Sequence, residues 1–176
     1  MPKGIWRTLA CVAVAAATLA VPAIAAAPAG IRAEAALERS ILAEINALRK
    51  AHGLAPLRQS LPLARAAEGH SRAMARLGFF SHSSRDGTVF WKRIARSYPS
   101  RGYAMWTVGE NLLWSTSELS GAEAVRMWLN SPPHRKVLLS SRWREFGVSA
   151  IRADAAPGAF GGSDVTVVTA DFGLRR

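Results

Sequence analysis

Apolar residues recur at three- and four-residue spacing in two long stretches of the N-terminal half, after which the period shortens. Leu37, Ile41, Ile45 and Leu48 form one stripe, with Glu38, Arg39, Glu44 and Arg49 off it, predicting a helix that Gly53 stops. Leu63, Ala66, Ala67, His70, Met74 and Leu77 form a second stripe. It predicts a helix opening after Ser60, with Pro62 tolerated in the first turn and Gly78 as the C-cap. His70 lies on that stripe, where a core histidine bonded to a neighbouring group is the expected role. Asp86-Gly87 is a turn signal because glycine takes up the positive φ the chain needs there. Thr88 to Arg96 predicts a short helix with Val89, Trp91 and Ile94 as buried positions, and Tyr98 to Tyr103 a loop. Part of the apolar and aromatic run from Tyr103 to Trp114 predicts a strand. Ser120-x-x-Glu123 is a capping box for a third long helix, with Val125, Trp128 and Leu129 on its buried face. Ser131-Pro132-Pro133 ends it, and His134 to Leu139 adds one helical turn. Glu145 to Ile151 and Asp164 to Phe172 predict two strands joined through Pro157-Gly158 and Gly161-Gly162.

Helices first, then a strand, a helix and a closing hairpin predict an α+β fold. The expected form is a three-layer α-β-α sandwich around a mainly antiparallel central sheet, with the first two helices on one face and the third on the other.

The N-terminus changes the picture from a bare domain to an exported one. Lys3 and Arg7 precede an uncharged apolar run, Leu9 to Ala20, and Ala23-Ile24-Ala25 fits a small-x-small cleavage site. The run is shorter than the ~20 apolar residues of a membrane span. Residues 1–25 are therefore expected to be a signal peptide, 26–36 an unstructured leader rich in Ala, Pro and Gly, and 37–176 a single domain. The protein is expected to be secreted or periplasmic. Its one cysteine, Cys11, falls in the signal segment, so the domain is expected to have no disulfide and to rely on its core.

The formal net charge is +11. An exported protein of that sign is drawn to anionic surfaces, either the membrane surface or an anionic envelope component. The arginines are dispersed and no nucleic-acid-binding motif accompanies them, which excludes nucleic acid as the expected partner. There is no G-x-S-x-G elbow, no H-E-x-x-H helix and no phosphate loop. Asp171-Phe172-Gly173 copies a kinase tripeptide without the other kinase elements, and Asp171 is expected to be a strand-end polar residue.

The candidate chemistry concentrates at His82, Glu110 and His134, each at the end of an element. Two neutral imidazoles and a carboxylate can hold zinc or another divalent metal, with the carboxylate as third ligand or as base on a bound water. Without metal, Glu110 can orient an imidazole by accepting its N–H. On spacing alone a purely structural role leads: His82 capping a turn, Glu110 bonding backbone N–H groups, His134 capping a helix. Glu110 and Asn111 side by side are costly to bury without partners, which points to a polar cleft.

Phe79-Phe80-Ser81-His82, Asp86-Gly87, Gly109-Glu110-Asn111 and Trp128-x-x-Ser131-Pro132-x-His134-Arg135, in that order, resemble the bacterial SCP-like branch of the CAP superfamily. That superfamily comprises cysteine-rich secretory, antigen 5 and pathogenesis-related 1 proteins. Ile45-Asn46-x-x-Arg49, Gly53-Leu54-x-Pro56-Leu57, Ala66-Ala67-x-x-His70-Ser71-x-x-Met74-Ala75, Phe146-Gly147-Val148 and Asp171-Phe172-Gly173 extend the likeness from Leu37 to Gly173. The resemblance implies an α-β-α sandwich, a secreted protein, and a cleft with two histidines and two acidic residues able to hold a divalent metal, often zinc. His82 matches the first histidine, Glu110 the first acid and His134 the second histidine. Ser131 stands where the eukaryotic pattern has its second glutamate, and the eukaryotic cysteines and Gly-His-Tyr-Thr-Gln segment are missing. Three functions follow as expectations. The first is ligand binding at a cleft of His82, Glu110, Asn111, Ser131 and His134, the ligand being lipid, sterol or an envelope polymer. The second is a metal-dependent hydrolase with Glu110 as base and His82 and His134 on the ion. The third is a non-catalytic extracellular interaction module.

Overall fold

The computed structural model describes residues 30–176; the expected signal peptide and the first leader residues lie outside the described residues. In chain order the elements are β1 (Ile31–Ala33), α1 (Ala35–Ala51), β2 (Arg58–Gln59), α2 (Leu61–Leu77), α3 (Phe90–Ala95), β3 (Trp106–Ser115), α4 (Gly121–Leu129), α5 (Pro132–Leu138), β4 (Glu145–Ala156) and β5 (Ser163–Arg175). The sheet runs β1-β4-β5-β3, antiparallel throughout, and β2 adds a two-residue parallel pairing to β4. The α+β sandwich is therefore as expected. Among the described residues β3 pairs with β5 alone, which leaves its other side as a sheet edge. Among the described residues no helix is long and apolar enough to cross a membrane.

Two expectations are corrected. The leader is not structureless to its end: Ile31–Ala33 pairs with Ile151–Ala153, because β4 presents an open edge there that a short extended segment can satisfy. The helices also divide differently between the layers. Ile41 and Ile45 of α1 pack with Ala124, Val125 and Trp128 of α4, Leu138 of α5, and Phe146, Val148, Ala150, Val168, Ala170 and Phe172 of the sheet. So α1 shares a face with α4 and α5, and α2 and α3 cover the other. Close approach dictates this. A Cβ at Gly147 would lie 2.1 Å from the backbone N of Ala64, so β4 seats the start of α2 directly on its backbone. Ile41 and Ile45 are fully buried, and each contributes on the order of 2 kcal/mol by leaving water.

Local chemistry explains the boundaries. The Ser120 Oγ accepts from the Glu123 N–H and the Glu123 carboxylate accepts from the Ser120 N–H, so the capping box forms as expected. Gly78 ends α2 at φ 65°, and its backbone lies so close to Pro157 that a side chain there would collide. Pro132 and Pro133 end α4 and then open α5, where their missing N–H groups cost no helical bond. In α3 the inward positions are Phe90, Arg93 and Ile94, not Val89 and Trp91, which are 36% and 45% exposed. Leu77 is likewise 49% exposed. The six-residue helix buries one i, i+3, i+4 face, and a cation occupies its middle.

Candidate functional site

The pleat of β3 sends alternate residues to opposite layers. Leu112 and Trp114 pack on the α2 side, and Glu110 faces the same way, whereas Gly109, Asn111 and Leu113 face α4 and α5. Glu110 is 5% exposed. Its Oε1 lies 2.7 Å from the His82 Nδ1, and its Oε2 accepts from the Arg93 Nη2, which also donates to the His82 carbonyl at 3.3 Å. Burial alone would raise the Glu110 pKa. The His82 hydrogen bond and the Arg93 charge outweigh it, so the carboxyl is held below its ordinary value and is ionised. An ionised Glu110 is an acceptor, so the His82 Nδ1–H donates to it and Nε2 is the ring nitrogen turned away from the carboxylate. The His82 side chain is 51% exposed, so the ring remains within reach of a ligand.

Asp171 lies directly across from Glu110 in the β3–β5 register. It is fully buried, and among the described residues neither carboxyl oxygen has a hydrogen-bond partner. Burial, reinforced by the negative charge of Glu110, raises its pKa well above the carboxylate range, so it remains protonated. Asp171 is thus not the strand-end polar residue expected: β5 runs on to Arg175 and the side chain is wholly buried. His70 sits nearby with 1% exposure, its Nε2 2.8 Å from the Ser81 carbonyl. Burial first, then the Arg93 charge, lower its pKa to about 4.

On the other side of β3, the Asn111 Nδ2 donates to the His134 carbonyl at 3.1 Å and ties the start of α5 to the sheet. The His134 pKa is lowered by partial burial and then by the charge of His82, so its ring is neutral. Ser131, the residue before α5, offers no side-chain cap to it. Ser131 and His134 close one end of a groove of about 270 Å³ along the free edge of β3. The rest of its lining is apolar: Phe80, Leu112, Leu113, Trp114, Met127 and Trp128. The Trp128 Nε1 donates to the Leu112 carbonyl at 3.0 Å, which satisfies one of the edge's orphan acceptors.

The five residues expected at the cleft fall into three settings. Ser131 and His134 line the groove, Glu110 and His82 form a bonded pair on the α2 side of β3, and Asn111 is a buried strut. The expected three-ligand metal set of His82, Glu110 and His134 is not assembled: among the described residues no group of three His, Cys, Asp or Glu could hold a metal ion. Both Glu110 oxygens face nitrogen donors, one of them a guanidinium, and Ser131 supplies no second carboxylate, so the donors do not fit a four-coordinate zinc. Arg93 and Asp171 were missed as members of the site. Arg93 is hidden in a short helix whose apolar pattern points elsewhere. Asp171 carries a signal, a carboxylate among the buried positions of a strand, that is costly without a partner.

A family model described as Cysteine-rich secretory protein family, CAP, matches residues 42–172. An uncharacterized membrane protein of Bacillus subtilis, YlbC, is 36% identical over 65% of this chain and 31% of its own length. A second Bacillus subtilis protein, YkwD, is 29% identical over 65% of this chain and 42% of its own. The chain therefore spans less than half the length of these relatives. Among solved structures, an SCP-domain extracellular protein from Bacillus anthracis matches with TM-score 0.62 and 29% identity, over 81% of this chain and 41% of that one. An outer surface protein of Borrelia burgdorferi shares the fold, with TM-score 0.60 and 24% identity over 78% of this chain and 92% of that one.

Proposed function

The chain belongs to the cysteine-rich secretory protein family, CAP, and from that premise we propose that it is an exported domain binding an amphipathic ligand, a lipid or sterol, along the free edge of β3. The observation that carries this reading is the groove itself: six apolar side chains ending at Ser131 and His134. An acyl chain or ring system would lie against Phe80, Leu112, Trp114 and Met127. Its polar end would meet the neutral His134 ring and the Ser131 hydroxyl. A hydrophilic envelope polymer fits such a lining less well. Export rests on the signal-like N-terminus together with the extracellular nature of the Bacillus anthracis relative.

Catalysis by Glu110 is disfavoured on chemical grounds. A carboxylate paired with Arg93 and held below its usual pKa is a weak base at neutral pH. The pair instead fixes His82 with Nε2 outward, an orientation that suits hydrogen bonding to a ligand hydroxyl or headgroup.

Titration of a fluorescent fatty acid and a fluorescent sterol into the purified domain tests the reading. Saturable binding that weakens at least tenfold in Met127→Asp is the expected result. Equal affinity in the wild type and that variant, or no saturable binding of either probe, would sink it.

A further inference from the structure

A second concavity, of about 310 Å³, lies between α2 and α3 and shares no residue with the groove. Its walls are Arg65, Ala66, Gly69, His70 and Ala73 from α2, Ser84 from the loop between the helices, and Arg93, Arg96 and Ser97 from α3 and its end. The lining holds three arginines and no carboxylate. Arg65 and Arg96 are exposed at the rim, and neither takes part in an ion pair among the described residues. Asp86 lies close enough to interact with Arg96, but its own Oδ1 accepts from the Thr88 N–H at 2.9 Å.

The inner wall holds groups that lack partners. Arg93 is 9% exposed, and among the described residues its Nε and Nη1 have no acceptor, while Nη2 donates to Glu110 and the His82 carbonyl. His70 is 1% exposed and its Nδ1 is also unpartnered. Buried guanidinium N–H groups without acceptors are costly, and native proteins satisfy nearly all of them. The α2 wall also leaves room. A Cβ at Gly69 would meet nothing within 4 Å, so packing does not require the glycine that weakens this helix interior.

We propose that the pocket between α2 and α3 binds a phosphoryl group, held by the Arg65, Arg93 and Arg96 guanidiniums with the Ser84 and Ser97 hydroxyls in support. Guanidinium forks arriving from two helices suit a tetrahedral oxyanion, which accepts from several directions at once. The phosphoryl group is either free phosphate or the headgroup of an anionic lipid. This site is independent of the groove reading: its lining is separate and its probes are different.

The test uses the purified domain in two arms, with inorganic phosphate followed by calorimetry and by the His70 ring signals in NMR, and with phosphatidylglycerol vesicles followed by sedimentation against phosphatidylcholine vesicles. Two variants accompany the wild type. Arg65→Gln/Arg96→Gln removes rim charge at exposed positions, and Gly69→Leu fills the pocket without altering charge. The expected result is saturable binding in at least one arm, weakened tenfold or more by each variant while the far-ultraviolet spectrum and melting temperature are retained. Binding of inorganic phosphate identifies a soluble anion site, and binding of vesicles alone identifies the headgroup as the source. Loss of binding in the double variant with full binding in Gly69→Leu would mark diffuse charge attraction and overturn the site. Absence of saturable binding in both arms would overturn it equally.

Discussion

Toward α2, β3 carries a buried charge bound to its neighbours, whereas along its free edge, where Leu112 and Trp114 meet Met127 and Trp128 of α4, it borders an open apolar groove. Glu110 is held between His82 and Arg93, and the protonated Asp171 stands across from it. One residue further along, Asn111 spends its amide on the His134 carbonyl, and its own Oδ1 has no partner. The difference separates two tasks. The α2 side uses charge to fix the shape of the strand and the direction of His82. The other side leaves a neutral imidazole and an apolar wall uncommitted, which is the condition for taking up a ligand.

The comparison breaks most severely if the buried pair is opened. Arg93→Met removes the cation and leaves Glu110 buried and ionised, for which we expect a loss of ~3–5 kcal/mol in urea unfolding. Arg93→Met/Glu110→Leu removes both charges and should cost clearly less than Arg93→Met alone. If the double variant costs as much as Arg93→Met, the pair is not what fixes this side.

A pH series sharpens the same point. The folded His70 pKa, about 4, lies below the ordinary histidine value of 6.5, so between these values the unfolded chain binds the extra proton. Its contribution is full above pH 6.5 and is lost as pH falls toward 4, a change of about 3 kcal/mol for a ring this buried. The lowered Glu110 pKa adds to the acid-side loss in the same direction. Asp171 runs oppositely. Its raised pKa gives stability at acid pH that declines as pH rises, because the native state must keep a proton the unfolded chain releases. Unfolding free energies across pH 4–8 should show His70→Gln flattening the acid limb. Asp171→Asn, a neutral isostere of the protonated acid, should raise stability progressively toward the alkaline end. A steeper acid limb in His70→Gln would contradict the assignment.

Much of this was legible in the chain. The helix periods, the capping box at Ser120, the glycine stop at Gly78 and the closing strands all follow from local patterns that the tertiary structure leaves intact. Layer membership was not legible, because α1 pairs with α4 across more than 70 residues of sequence and no local signal records which face a helix covers. His82, Glu110 and His134 were recognisable as residues with chemistry. Their true partners were not. Arg93 reaches Glu110 from 17 residues away, and it occupies the buried middle of a helix whose sequence suggested Trp91 instead. The poor fit to zinc has the same origin, since the Glu110 oxygens face Arg93 and His82 nitrogens, a pairing that no local pattern records.

Smaller effects test the groove side. Trp128→Phe removes the bond to the Leu112 carbonyl, and we expect a stability loss of about 1 kcal/mol, read as a shift of the urea midpoint at unchanged m-value. Met127→Asp should change stability least, within about 0.5 kcal/mol, because the side chain is 40% exposed. Yet it sets a charge against Leu112, Trp114 and Trp128 in the groove lining. A substitution nearly silent in unfolding but worth tenfold in lipid or sterol affinity would locate binding at the free edge of β3. An equal change in both measurements would mean that the groove wall is part of the core, and the division of tasks between the two sides of the strand would not hold.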